Sequence, residues 1–249
     1  MNIYFDIETG PVANHELLHM LPEFDEAEVK LGNLKDPEKI QQKLDEARAN
    51  HESNFIKKAA LDPISGRVLA IGVTNAATGE FSVLGAIGEQ EVEILNQFWD
   101  LCVDHDGQEL IICGFNTHQF VLPFLIRRSW KHSISIPAHI RRGRYWSDKS
   151  IDIRERWTFG DRHASGSLDT IAKYFGFTGK TGNGADFADK WEHYRDEAID
   201  YIKADLDLTR LVALRMGFGR EMGDKRQNMP EVAIETLQPP QALRPKWVR

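Results

Sequence analysis

The chain has 249 residues, 41% of them hydrophobic, which is enough for one sizeable core, and it carries a formal charge of −7. That balance excludes a broad nonspecific nucleic-acid coat, which needs net or clustered positive charge, but leaves room for an acidic metal centre flanked by local basic patches. No run of about 18 apolar residues occurs and the N-terminus enters a charged strand at once, so neither a membrane span nor a signal peptide is expected, and a cytoplasmic protein follows.

The first element is an apolar strand interrupted by two acids, Tyr4-Phe5-Asp6-Ile7-Glu8-Thr9. Strand side chains alternate, so Asp6 and Glu8 share a face with Tyr4 while Ile3, Phe5 and Ile7 take the other. Two carboxylates that close raise each other's pKa unless a cation lies between them, and a hard divalent metal is the simplest such cation. Gly10-Pro11 ends the strand. Residues 12–60 form a polar, helical excursion, with Asp36 as N-cap and Pro37 at the first helical position; it reads as a cover over the core, with no chemistry of its own.

Strands resume at Arg67–Thr74 and Phe81–Ala86, joined by the Thr78-Gly79-Glu80 turn as hairpin partners. Val92, Leu95, Phe98, Trp99 and Cys102 mark an amphipathic helix. A short buried strand, Leu110–Cys113, leads through Gly114 and Asn116 into a helix carrying Val121, Phe124 and Leu125. Ser150–Ile153 is a brief extended segment, and Ser167 caps a helix stopped by Gly176. The Gly179–Gly184 segment is a surface or substrate-facing loop and lacks the spacing of a phosphate loop. A long helix spans Asp189–Arg215 with an interruption near Arg195, and the glycines and prolines after it predict a loosely folded extension. This order predicts an α/β layer structure with a mixed sheet. Cys102 and Cys113, in apolar surroundings, read as buried thiols of a reducing compartment.

Two further features carry chemistry. Arg127, Arg128, Lys131, His132, His139, Arg141, Arg142 and Arg144, interleaved with Trp130, Tyr145 and Trp146, form a basic patch that reads either as a phosphate- and base-binding surface or as a solvated helix end. On the late helix, Tyr201 and Asp205 are four apart on one side, placed either to meet Asp6 and Glu8 or to sit in water.

Taken in order, these segments resemble the 3'-5' exonucleases of the DEDD type with the ribonuclease H-like fold, in the branch whose third motif contains tyrosine, and most nearly the predicted exonucleases related to the proofreading domain of family B DNA polymerases. Phe5-Asp6-Ile7-Glu8-Thr9 matches the first motif, Gly114 to Leu125 the second, and Tyr201-Ile202-Lys203-Ala204-Asp205 the third, with Ile151-Asp152 and Ser167-Leu168-Asp169 as landmarks between them. The resemblance covers residues 1–216, with the helical insertion at 12–60 and an extension at 217–249. It implies a mixed sheet flanked by helices and a centre of two divalent ions, Mg2+ or Mn2+, acting on single-stranded DNA or RNA 3' ends. By position, Asp6 bridges both ions, Glu8 and Asp205 complete the first site, and Tyr201 orients the attacking water. Thr9, Asn116, Phe120, Arg127 and Arg128 are expected at the substrate.

The departure is Val121, which stands where the family has aspartate and weakens the second site. Asn116 and His118 are the local groups that could compensate, imidazole suiting manganese or zinc better than magnesium. Two readings therefore compete: an exonuclease weakened by Val121, and a catalytically silent relative that binds nucleic-acid ends or one metal. A structural protein with Asp6 and Glu8 on a polar cavity is the third. The Asp161–Gly166 segment has the residue types of a hydrolase but no nucleophile elbow around Ser165.

Overall fold

The structure is a computed structural model that describes residues 2–103, 110–140, 149–161, 163–164, 166–180 and 187–224. Its centre is β1 (Ile3–Pro11), a nine-residue strand paired antiparallel with β2 (Gly66–Asn75) and parallel with β4 (Ile112–Gly114). The hairpin partner β3 (Phe81–Leu84) extends β2, and β5 (Ser150–Asp152) runs parallel to β4, so the sheet order is β3-β2-β1-β4-β5. This is the α/β arrangement, a mixed sheet flanked by helices, that the ribonuclease H-like resemblance implies.

Alternation along β1 divides the core between the two faces. Ile3, Phe5 and Ile7 pack with α4 (Glu91–Leu101) and α5 (Leu122–Lys131), where the Phe5 and Phe98 rings lie 5.1 Å apart. Tyr4 lies on the opposite face with α7 (Leu168–Tyr174), α8 (Phe187–His193) and α9 (Arg195–Arg215). Each buried aromatic or branched side chain contributes about 1.5–3 kcal/mol, so the two layers together anchor β1 between them. Gly72 sets how closely α9 lies on the sheet: a Cβ there would sit 2.3 Å from Ile202 Cγ2 and 2.8 Å from Leu206 Cδ1. That close seat brings the middle of α9 over the acidic half of β1.

Local chemistry marks the element ends. The Asp36 side chain accepts from the Glu38 N–H ahead of α2 (Pro37–Ala49), and Ser167 accepts from the Thr170 N–H at the start of α7. The interruption expected near Arg195 is a break at Tyr194, whose φ of −137° and ψ of 59° leave the helical range between α8 and α9. In the insertion, α1 (Asn14–His19) and α3 (His51–Ala59) supply Leu17 and Ala59 to a small satellite cluster with Val12, while α2 buries no residue.

The expectation of a loose extension after residue 216 is corrected for residues 217–224. A short helix, α10 (Gly219–Met222), buries Met222, and the fully buried Asp224 carboxylate accepts from Arg210 Nε and Nη2 at 2.6 and 2.7 Å. A buried ion pair of this geometry folds the segment back onto α9, which glycine content alone does not reveal. Residues 225–249 lie outside the described residues.

Candidate metal centre

Asp6 and Glu8 project from β1 towards α9, and a register shift between Glu8 and Thr9 re-aims the strand beside them. Burial raises the Asp6 carboxyl to about 7, with Lys180 opposing the rise and the Asp205 charge adding to it. Glu8 is pushed well above its ordinary value by burial and then by the charges of Asp6 and Asp205. Asp205 is 4% exposed on α9. One turn earlier, Tyr201 is hydrogen-bonded to it; burial and the charges of Asp205 and Glu8 raise the phenol, so it stays protonated. Electrostatic influence and the Tyr201–Asp205 hydrogen bond therefore gather Asp6, Glu8, Tyr201 and Asp205 from opposite ends of the chain, with the three carboxylates set wider than a closed 4.8 Å ligand cluster.

A fifth group joins them. Lys180 Nζ lies 2.5 Å from Asp205 Oδ2, and its charge also reaches Asp6 and Glu8. Its backbone N–H donates to Asp169 Oδ1 at 2.9 Å, and Asp169 is itself held below its ordinary pKa chiefly by Lys173. A Cβ on Gly179 would lie 2.0 Å from Asp169 Oδ1 and would push that side chain aside. Sequence reasoning placed this segment at the surface or facing substrate and assigned no role to Lys180. Nothing in the spacing links it to Asp205, 25 residues away. Residues 181–184 of that loop lie outside the described residues.

The second motif is held by Asp152 rather than by a metal-facing acid. Asp152 Oδ1 accepts from the N–H of Asn116 at 3.0 Å and from those of Arg154 and Glu155 at the start of α6 (Ile153–Thr158); Oδ2 accepts from the His118 N–H at 2.9 Å. Asn116 sits at φ 57°, and its side-chain oxygen accepts from Arg154. A π-helical turn, Thr117–Val121, follows. Val121 is 2% exposed and belongs to the apolar cluster with Phe124 and Leu125.

His118, weighed as a replacement ligand for the acidic centre, is turned elsewhere. Its ring contacts Glu155 through Nδ1 and Ser150 Oγ through Nε2, at 3.0 Å for the latter. Among the described residues, His118, Asp152 and Glu155 form one His/Asp/Glu cluster able to coordinate a single metal ion, their ligand atoms lying within 4.8 Å of one another. Ser150 and Asp152 alternate with Ile151, which packs on the Tyr4 face, so this cluster belongs to the sheet face opposite Asp6 and Glu8.

The expected substrate residues are dispersed. Thr9 is half-buried at the register shift and Phe120 is half-buried against Phe124, their rings 5.6 Å apart. Arg127 is exposed on α5. Arg128 is corrected: it is 2% exposed and donates to Glu91 Oε1 and Oε2 at 2.8 and 2.6 Å and to the Pro63 carbonyl at 3.0 Å, which removes it from any phosphate. In the basic patch, His132 contacts Glu91 and Lys131 contacts Glu16, while Arg141, Arg142, Arg144, Tyr145 and Trp146 lie outside the described residues.

A mixed sheet flanked by helices, with an acidic group gathered over its central strand, defines an exonuclease-like α/β domain. The family model described as "Predicted 3'-5' exonuclease related to the exonuclease domain of PolB" matches residues 53–238, and the chain belongs to that family. The match begins after β1, so the placement of Asp6 and Glu8 rests on the fold. Among solved structures, the family B DNA polymerase from the hyperthermophilic archaeon Pyrobaculum calidifontis aligns over 94% of this chain with a TM-score of 0.53 and 15% identity, a likeness of fold. The chain spans 28% of that polymerase. A comparison with curated proteins finds no match. No helix among the described residues is long and apolar enough to cross a membrane.

Proposed function

We propose that the chain is a metal-dependent 3'-5' exonuclease of the tyrosine-containing DEDD branch, hydrolysing phosphodiester bonds at single-stranded DNA or RNA 3' ends. The observation that carries this reading is the group Asp6, Glu8 and Asp205: three mutually coupled carboxylates answered by one lysine, an arrangement short of positive charge. Two raised carboxyls in such a group fit a hard cation, with Asp6, Glu8 and Asp205 as its oxygen ligands and Mg2+ or Mn2+ as its identity. When bound, the ion supplies Lewis acidity towards the scissile phosphodiester.

The chain's own groups do the rest. Tyr201, protonated and braced on Asp205, orients the attacking water rather than deprotonating it. Thr9, at the register shift beside Glu8, meets the terminal nucleotide. Val121 offers no ligand, so a second ion loses a protein anchor and catalysis is weakened. Buried free thiols at Cys102 and Cys113 accord with a cytoplasmic setting.

The second reading, a catalytically silent domain that binds 3' ends or one ion, is favoured by the apolar burial of Val121. Release of nucleotides from labelled single strands with Mn2+ or Mg2+ tests both. The exonuclease reading expects activity in the parent, a loss of at least about a hundredfold in Asp6→Asn, and a gain in Val121→Asp. Equal release by the parent and Asp6→Asn would remove the enzyme reading; end binding without turnover would establish the silent one.

A further inference from the structure

We propose that Lys180 is an internal counter-ion which occupies the carboxylate centre in competition with a divalent cation and so sets the affinity of that centre for metal. The inference rests on the metal-centre reading above. An ammonium is a compact point charge with three donors on a flexible stem, and Lys180 directs it 2.5 Å from Asp205 Oδ2, with Asp6 and Glu8 both within its field. One ammonium facing three carboxyls cannot compensate all of them when they ionise. A divalent ion neutralises the group better, but the ion and the ammonium repel at contact distance, so an ammonium held on Asp205 Oδ2 lowers the affinity of the centre for the ion. Metal binding is therefore favoured when Lys180 releases Asp205.

The fold supplies both a fixed anchor and a place to go. The Lys180 N–H donates to Asp169, and beyond it the long flexible stem is the part that moves. Beside it lies a cavity of about 240 Å3 lined by Lys180, Asp205, Asp207 and Leu208, where the Asp207 carboxylate, already paired with Lys203, gives the displaced ammonium a second acceptor two residues further along α9. In the metal-free protein the same lysine offsets the repulsion among Asp6, Glu8 and Asp205, so one side chain stabilises the resting fold and opposes loading.

Calorimetric titration of the full chain with Mn2+ at pH 8, together with the thermal midpoint of the metal-free protein, tests this. Lys180→Met is expected to bind Mn2+ about tenfold or more tightly, while its metal-free midpoint falls and is restored by the ion. Lys180→Arg keeps the charge and is expected to bind no more tightly than the parent. If Lys180→Met binds with the parent's affinity or more weakly, the competition is overturned. Should that variant fail to fold, the parent carries the test: the Lys180 Nζ nitrogen chemical shift is expected to move on adding Mg2+, and an unchanged shift overturns the proposal. Absence in the parent of any Mn2+ binding that Asp6→Asn removes overturns the metal-centre reading itself, and the competition with it.

Discussion

On one face of the sheet the Glu91 carboxylate accepts from Arg128, His132 and the Val68 N–H, whereas on the other Asp6, Glu8 and Asp205 share Lys180. Burial works to raise Glu91, but the hydrogen bonds from Arg128, Val68 and His132 outweigh it and hold the carboxyl below its ordinary value. Burial also acts on Asp6, and with too little opposing charge it prevails, lifting the group to about 7. The same desolvation thus produces opposite outcomes according to how many donors face the acid. A buried carboxylate saturated with donors is part of the scaffold. One left short of them is a site with capacity for a cation.

The largest expected effect breaks the saturated cluster. Arg128→Met leaves Glu91 buried without its bidentate partner and should cost about 3–5 kcal/mol in denaturant unfolding, with any folded fraction retaining the parent's Mn2+ affinity. Unchanged stability would mean that Glu91 is solvated some other way.

Asp6→Asn sharpens the contrast from the other side. Because the Asp6 pKa is raised in the fold, the folded state keeps a proton that the unfolded chain has lost, so this group lowers stability as pH climbs from about 4 to about 7. Glu91, held low, behaves oppositely: its contribution is complete above its unfolded pKa and is lost as pH falls through the lower folded value. Metal-free Asp6→Asn should therefore be at least as stable as the parent at pH 8, with a flatter stability profile between pH 4 and 7. Glu91→Gln should be destabilised at neutral pH and should show a weaker acid-induced loss below about pH 4.5. Thermal scans across pH for both variants check the two slopes, and matching slopes would erase the distinction.

The smallest effect belongs to the exposed Lys131–Glu16 pair at 3.5 Å. Lys131→Ala should change unfolding free energy by less than about 0.5 kcal/mol, since water and salt screen such pairs. A loss of 2 kcal/mol there would show that α1 is clamped to α5 far more firmly than its exposure suggests.

The acids of the candidate centre stand out in the sequence because their signals are local. Asp6 and Glu8 stand out as charges in an apolar strand, and Tyr201 and Asp205 as an i, i+4 pair on a helix with one apolar side. Arg128 misled for the same reason: an arginine beside another arginine and an exposed tryptophan looks like a phosphate-binding surface until the fold sets Glu91 within 2.6 Å of it. Asp152 was a landmark without a role, because its work is to receive backbone N–H groups from two separate segments, and backbone donors leave no mark on sequence.

By itself the sequence determined the alternation of β1, the caps at Asp36 and Ser167, and the order of strands and helices, all consequences of periodicity and residue type over a few neighbouring positions. Only the tertiary structure decided which charges are paired. Coulomb interactions depend on distance in space and on the local dielectric, and the contacts of Lys180 with Asp205, Arg128 with Glu91 and Arg210 with Asp224 join residues 25, 37 and 14 positions apart. Whether an acid becomes scaffold or site is fixed by those contacts, and they exist only once the sheet and its two helical layers have closed around it.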